Sequence, residues 1–219
     1  MRIATENDYP KIKSILSMAK EHGETLLKLP DAQIENLSGF FILDDHGVFW
    51  CNPIDERTLE VHTTFEPDHR GQYARDVARA AQRMIFTELG VERAVTKCGL
   101  GHKYVVAFAR WMGFKQIGLV ADTIILECPM EAYIMLDNDL CDFAIDVDFP
   151  LPSICPQEQA NFAGFFVACC RTGMFMKGLQ AYNRMAVLMG WEPLLLTSAN
   201  PILLTIGDRQ FSPSKLIEA

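Results

Sequence analysis

Apolar and polar positions alternate between two periods along the first 130 residues, and each change of period marks a new element. Met1–Thr5 reads as a short strand. Glu6-Asn7-Asp8 then supplies capping groups, and Ile12, Ile15, Leu16 and Ala19 recur three and four apart, which predicts a helix with one apolar face. Gly23 ends or bends that helix, and Pro30-Asp31 opens a shorter helical piece through Ile34 and Leu37. Phe40–Leu43 and Val48–Cys51 flank the turn signal Asp44-Asp45-His46-Gly47, the pattern of a β-hairpin. Leu59, Val61, Thr63 and Phe65 alternate with Glu60, His62 and Thr64, so this strand has two distinct faces.

After Glu66–Gly71 the period changes to that of a helix. From Gln72 onward Ala74, Val77, Ala78, Ala81, Met84 and Ile85 share one face, and Gly90 stops the run. Val91–Cys98 is a strand, Gly99-Leu100-Gly101 a turn, and Lys103–Met112 a helix closed by Gly113. Phe114–Val120 and Thr123–Cys128 form a last hairpin around Ala121-Asp122. Strands and helices interleaved in this way predict an α/β domain with one mixed sheet covered on both faces.

Residues 131–219 read differently and are expected to form a separate C-terminal extension. Glu131–Cys155 carries Asp137, Asp139, Asp142, Asp146 and Asp148 and reads as an acidic linker or a wrapping strand. Pro156–Cys170 and Met174–Met189 read as a helical pair, and Leu194–Leu196 and Ile202–Thr205 as short strands around Asn200-Pro201. The extension is too apolar for a flexible tail and must pack on something. It could close over a substrate cleft, form a homo-oligomer interface or dock to a larger assembly.

Composition narrows the function classes. The chain has 219 residues, 49% apolar and 22% charged, with a net charge of −8. That balance is expected of a folded protein and disfavours non-specific nucleic-acid binding, which needs a basic face. Seven cysteines, an odd number with no zinc-type spacing, read as reduced thiols of a cytoplasmic protein. The N-terminus has no apolar core of a signal peptide, and the most apolar stretch, Phe162–Met176, is broken by Arg171 and Gly173, so no membrane segment is expected. Asp44-Asp45-His46 reads as a turn, and no metal site is expected.

Two places carry candidate chemistry. The turn Arg70-Gly71 lies between a strand and a helix, where unpaired backbone N–H groups and the helix dipole favour an anion. Gly71 and Ala74 are small, and Arg70 and Arg75 bracket the helix start, although Arg-Gly before a helix is a common pairing. On the preceding strand Glu60 and His62 share a face and form a candidate general base. The simpler reading is a solvated glutamate and a satisfied, half-buried histidine.

The element order, the loop Arg70-Gly71-Gln72-Tyr73-Ala74-Arg75, and the segments Thr96–His102 and Ala107–Phe114 together resemble the GNAT N-acyltransferase superfamily. The wording HTTFEPDHRG, TKCGLGH and FARWMGF looks most like acetyltransferase-like proteins of tailed phages. The resemblance covers roughly residues 1–130. It implies a GNAT fold and an acetyl-CoA co-substrate held by Thr63, Thr64 and Phe65 along the pantetheine arm. Arg70, Gly71, Gln72, Tyr73, Ala74, Arg75 and His102 would meet the rest of the CoA. It also implies transfer to a small-molecule or protein amine. The setting would be a host cytoplasm or a virion. Tyr73 and Arg75 stand where the family's loop has small residues, His102 where a helix opens with Asn, and Ala109 where many members have an acid Tyr. Tyr104 and Tyr73 are the tyrosines nearest that position, and Tyr104 is the candidate general acid. Two other outcomes are open: an inactive GNAT-like virion or host-interaction protein, and acyl or aminoacyl transfer to modified DNA.

Overall fold

Seven strands form one mixed sheet in the order β1-β2-β3-β4-β5-β7-β6. They were traced in a computed structural model that describes residues 1–21, 37–147, 149–152, 155–199, 201–214 and 216. The helix ending expected at Gly23 and the helical piece from Pro30 lie outside the described residues, apart from Leu37. The strands are β1 (Arg2–Ile3), β2 (Phe40–Leu43), β3 (Gly47–Pro53), β4 (Thr58–Phe65), β5 (Arg93–Gly99), β6 (Lys115–Val120) and β7 (Thr123–Pro129). The helices interleaved with these strands are α1 (Tyr9–Glu21), α2 (Gln72–Glu88) and α3 (Lys103–Trp111).

Every pairing in the sheet is antiparallel except β4 with β5. The register sorts the side chains into two faces. Trp50 pairs with His62, Val48 with Thr64, and Glu60 with Val95, so these residues share one face. There α1 packs Ile12 and Ile15 against Phe41, Leu43 and Val48. On the other face Val106 and Ala109 of α3 pack on Cys98, Ile124 and Leu126. The α2 residue Gln82 joins that layer, donating through Nε2 to Met112 O at 2.9 Å. Ala74, Ala78, Ala81 and Ile85 of α2 are buried, which is the stripe the helical period predicts.

Chain contacts divide the protein into two compact units, Met1–Ile85 with Val91–Met130, and Phe86–Gly90 with Glu131–Ala219. The second unit holds α4 (Met130–Leu136, after its first residue), α5 (Leu140–Ile145), α6 (Gln157–Arg171) and α7 (Phe175–Met189). A meander of β8 (Leu195–Ala199), β9 (Ile202–Ile206) and β10 (Arg209–Phe211) completes it.

The acidic segment is helical over Met130–Leu136 and Leu140–Ile145, where the sequence suggested a linker or a wrapping strand. Its aspartates hide an apolar spacing: Tyr133, Ile134, Leu140 and Ala144 are fully buried. One of the aspartates is itself internal, since Tyr133 Oη donates to Asp137 Oδ2 at 2.7 Å. Close helix packing explains a glycine here. A Cβ on Gly164 of α6 would fall 1.6 Å from Leu140 O, so no larger residue fits without moving α5. All seven cysteines are free, five of them buried. No helix among the described residues is long and apolar enough to cross a membrane.

Candidate active site

The parallel ladder between β4 and β5 consists of three pairs, Thr58 with Arg93, Leu59 with Ala94, and Glu60 with Val95. Both strands continue past that point, β4 to Phe65 and β5 to Gly99, without further pairing to each other. On their outer edges they remain paired, β4 to β3 through Phe65 and β5 to β7 through Gly99. The sheet thus opens at Glu60, and the facing edges of the two strands offer main-chain groups to whatever enters the gap.

Three side chains converge where the ladder ends. His62 Nε2 lies 2.8 Å from Glu60 Oε1, and Lys97 Nζ lies 3.0 Å from Glu60 Oε2. A carboxylate only accepts, so the hydrogen sits on His62 Nε2 and leaves Nδ1 as the acceptor nitrogen. Trp50 stacks on the imidazole with centroids 5.1 Å apart and planes 19° apart. Its indole Nε1 donates to Ser38 O at 2.9 Å, which fixes the ring that supports His62.

Glu60 is 8% exposed and so is not the solvated strand residue of the simpler reading. Burial alone would raise its pKa. The hydrogen bonds and charges of Lys97 and His62 outweigh that cost and hold the carboxyl below its ordinary range. Lys97 and Trp50 are the members that sequence reasoning missed. Each lies on a neighbouring strand, and only the register Glu60–Val95 and Trp50–His62 puts them on the same face.

Of the residues expected along the pantetheine, Thr63 is exposed, Thr64 half-buried and Phe65 buried. The turn before α2 is formed as the motif suggests. Gly71 adopts φ +86° with nothing within 4 Å of a notional Cβ, so only its backbone requires glycine. Gln72 is exposed and donates to Asp76 Oδ1, 2.7 Å away. Ala74 is buried against the core. Arg75 reaches along the surface, its guanidinium 5.1 Å from the Trp111 ring, where Arg79 also stacks at 4.6 Å. Tyr73 turns its hydroxyl to Asp44 of the β2–β3 turn. Burial, then the hydrogen bond and charge of Asp44, push its pKa up to about 12.

His102 precedes α3, and its side chain makes no cap hydrogen bond. Tyr104, the expected acid, stands on the first turn of α3 with 92% of its surface in water. No hydrogen bond among the described residues brings it to Glu60 or His62. Cys98 is buried and its thiol is pushed up by that burial, so it is not primed as a nucleophile. A groove of about 470 Å³ runs along α3, lined by Leu100, Lys103, Val106, Ala107, Arg110 and Ile124. It contains neither Glu60 nor His62.

This mixed sheet, splayed at its single parallel junction and followed by a glycine turn into a helix, is the arrangement that the resemblance to the GNAT superfamily implies. The chain belongs to the family described as "Protein of unknown function (DUF2824)", whose model matches residues 23–140. Among solved structures, a variant of the Vibrio cholerae spermidine N-acetyltransferase is 16% identical, with a TM-score of 0.49 over 60% of this chain and 95% of that one. A candidate phosphinothricin N-acetyltransferase is 16% identical, with a TM-score of 0.47 over 59% and 96%. No curated protein matches the sequence.

Proposed function

We propose that this protein transfers an acetyl group from acetyl-CoA to an amine, with His62 as general base and Glu60 as the group that orients it. The observation that carries this reading is the end of the β4–β5 ladder at Glu60, where an unpaired strand edge and a hydrogen-bonded imidazole meet. A thioester lying in the gap would take main-chain hydrogen bonds from the β4 edge at Thr63–Phe65, and one N–H there would polarise its carbonyl. The amine nitrogen attacks the carbonyl carbon, the N–C bond forms, and His62 Nδ1 takes the amine proton, directly or through one water. The C–S bond then breaks, and the departing thiolate takes up a proton.

Glu60 is a poor base itself, because Lys97 and His62 hold it ionised. Its part resembles that of the carboxylate in a hydrolase triad: it fixes the tautomer and stabilises the imidazolium. Arg70 and the first N–H groups of α2 would meet the phosphates. Residues Tyr73 and Arg75 would flank them with their side chains directed to Asp44 and Trp111. The acidic chain would favour a cationic acceptor, as a polyamine or a protein amine is.

The test is release of free CoA from acetyl-CoA across a panel of amines. Amine-dependent release that is lost in His62→Gln supports the assignment. The absence of release with every amine, in a protein that still binds acetyl-CoA, would favour a binding role on the same scaffold.

A further inference from the structure

A second cluster lies on the turn between β2 and β3 and on the chain that leaves β4. His46 Nδ1 is 2.7 Å from Glu66 Oε2, and His69 Nδ1 is 3.3 Å from the same oxygen. The one ligand atom each residue offers lies within 4.8 Å of the other two. The imidazoles are stacked, with centroids 3.5 Å apart and planes 3° apart. His69 Nδ1 is buried yet makes no hydrogen bond among the described residues, although Glu66 Oε2 lies 3.3 Å away. A buried ring nitrogen that makes no hydrogen bond calls for an explanation, and a missing ligand is one.

We propose that His46, Glu66 and His69 form a binding site for one zinc-type divalent ion. Two imidazole nitrogens and one carboxylate oxygen suit zinc and similar borderline metals, whereas calcium and magnesium prefer oxygen alone. Three protein ligands leave a fourth position for water. The backbone is braced on all sides: Glu66 N donates to His46 O at 3.0 Å, His69 N to Glu66 O at 3.0 Å, and Asp44 N to Gly47 O at 2.9 Å. Tyr73 packs edge-on against both rings at 5.6 and 5.4 Å. Asp44 and Asp45 on the same turn add negative charge that favours a cation.

In the stack the two ring planes are parallel, so the two Nδ1 atoms do not point at one ion. Binding therefore requires each ring to rotate about its Cβ–Cγ bond until both nitrogens face the ion. In neutral His46 the hydrogen moves from Nδ1 to Nε2, so no net proton need be released. That movement separates a metal site from a plain hydrogen-bonded stack, and it can be read directly.

The experiment titrates the full chain, stripped with a chelator, with Co²⁺ and with Zn²⁺. Co²⁺ distinguishes these ligands from the seven cysteines, since sulfur ligation gives a near-ultraviolet charge-transfer band that nitrogen and oxygen do not. The expected result is one site with a tetrahedral or five-coordinate visible spectrum and no sulfur band. His69→Ala and Glu66→Gln, each checked by circular dichroism, should weaken binding by about a hundredfold, since loss even of groups that only support a ligand costs 10- to 100-fold. In wild type, imidazole ¹⁵N spectra should show Zn²⁺ at Nδ1 of His46 and His69. Undetectable binding, a sulfur band, or variants that bind like wild type would each overturn the proposal. Imidazole spectra that do not change with Zn²⁺ would do the same.

Discussion

Glu60 and Glu66 stand six residues apart on one strand and its exit, and each carboxylate meets two nitrogen-bearing side chains. Glu60 is buried and meets Lys97 through one oxygen and a single imidazole through the other. Glu66 is half-buried and lies against two imidazoles. The first arrangement is preset: its carboxylate is held ionised, and its histidine is fixed in tautomer and supported by Trp50. The second is exchangeable, because its rings would leave the stack and turn their nitrogens to a metal ion. Closely similar residue types give an oriented base in one place and a candidate ligand set in the other. Deeper burial and the contact with Lys97 set the first apart.

The largest effect that could break this contrast is on turnover. His62→Gln should lower kcat for amine-dependent CoA release by between about 100-fold and 10,000-fold with little change in acetyl-CoA affinity, as expected for loss of a general base. Glu60→Gln should follow it in direction, since the amide cannot hold the same tautomer. Equal rates for wild type and His62→Gln would remove His62 from the chemistry.

Next in size is the effect of the lysine. Without Lys97, burial of Glu60 is less well offset, so Lys97→Met should raise the pKa of that carboxyl. Stability measured against pH should show it. A carboxyl held low in the folded state contributes stability that is fully present above its unfolded pKa, about 4.3. That contribution is lost as the pH falls through the lower folded value. Lys97→Met should therefore flatten this acid-side slope, and an unchanged slope would show that the lysine does not set the charge of Glu60.

A smaller effect is expected at the turn. Gly71→Ala meets no neighbour but must hold φ +86°, which costs about 1 kcal/mol of stability on unfolding in denaturant. The smallest concerns the exchangeable cluster. In metal-free buffer His46→Ala should change stability by about 0.5 kcal/mol or less, because half-exposed ion pairs contribute little. A loss of several kcal/mol would mean that this stack, too, is a preset element.

What the sequence revealed follows the range of the interactions. Period two at Leu59–Phe65 is enough by itself to put Glu60 and His62 on one face, and β2 matches its apolar run at both ends. Lys97 and Trp50 were hidden because strand register is not written in local spacing. His46 and His69 were hidden for the same reason: one looks like a turn residue and the other like part of a loop. The helices α4 and α5 were obscured by the five aspartates in and around them, although Tyr133, Ile134, Leu140 and Ala144 are buried positions within the two helices. Tyr73, an intruder in the loop motif by sequence, has a partner in Asp44 that only the fold brings near.

The central claim is that the turn at Arg70-Gly71 and the opening between β4 and β5 hold acetyl-CoA. Thermal unfolding of the wild-type chain with increasing acetyl-CoA tests it most directly, alongside Arg70→Glu, which reverses a charge at the turn. The account predicts a melting temperature that climbs with ligand, equivalent to about 2.7 kcal/mol at a hundred times the dissociation constant, and no climb in Arg70→Glu. A melting temperature that stays fixed at millimolar acetyl-CoA, or a variant that responds as wild type does, would contradict it.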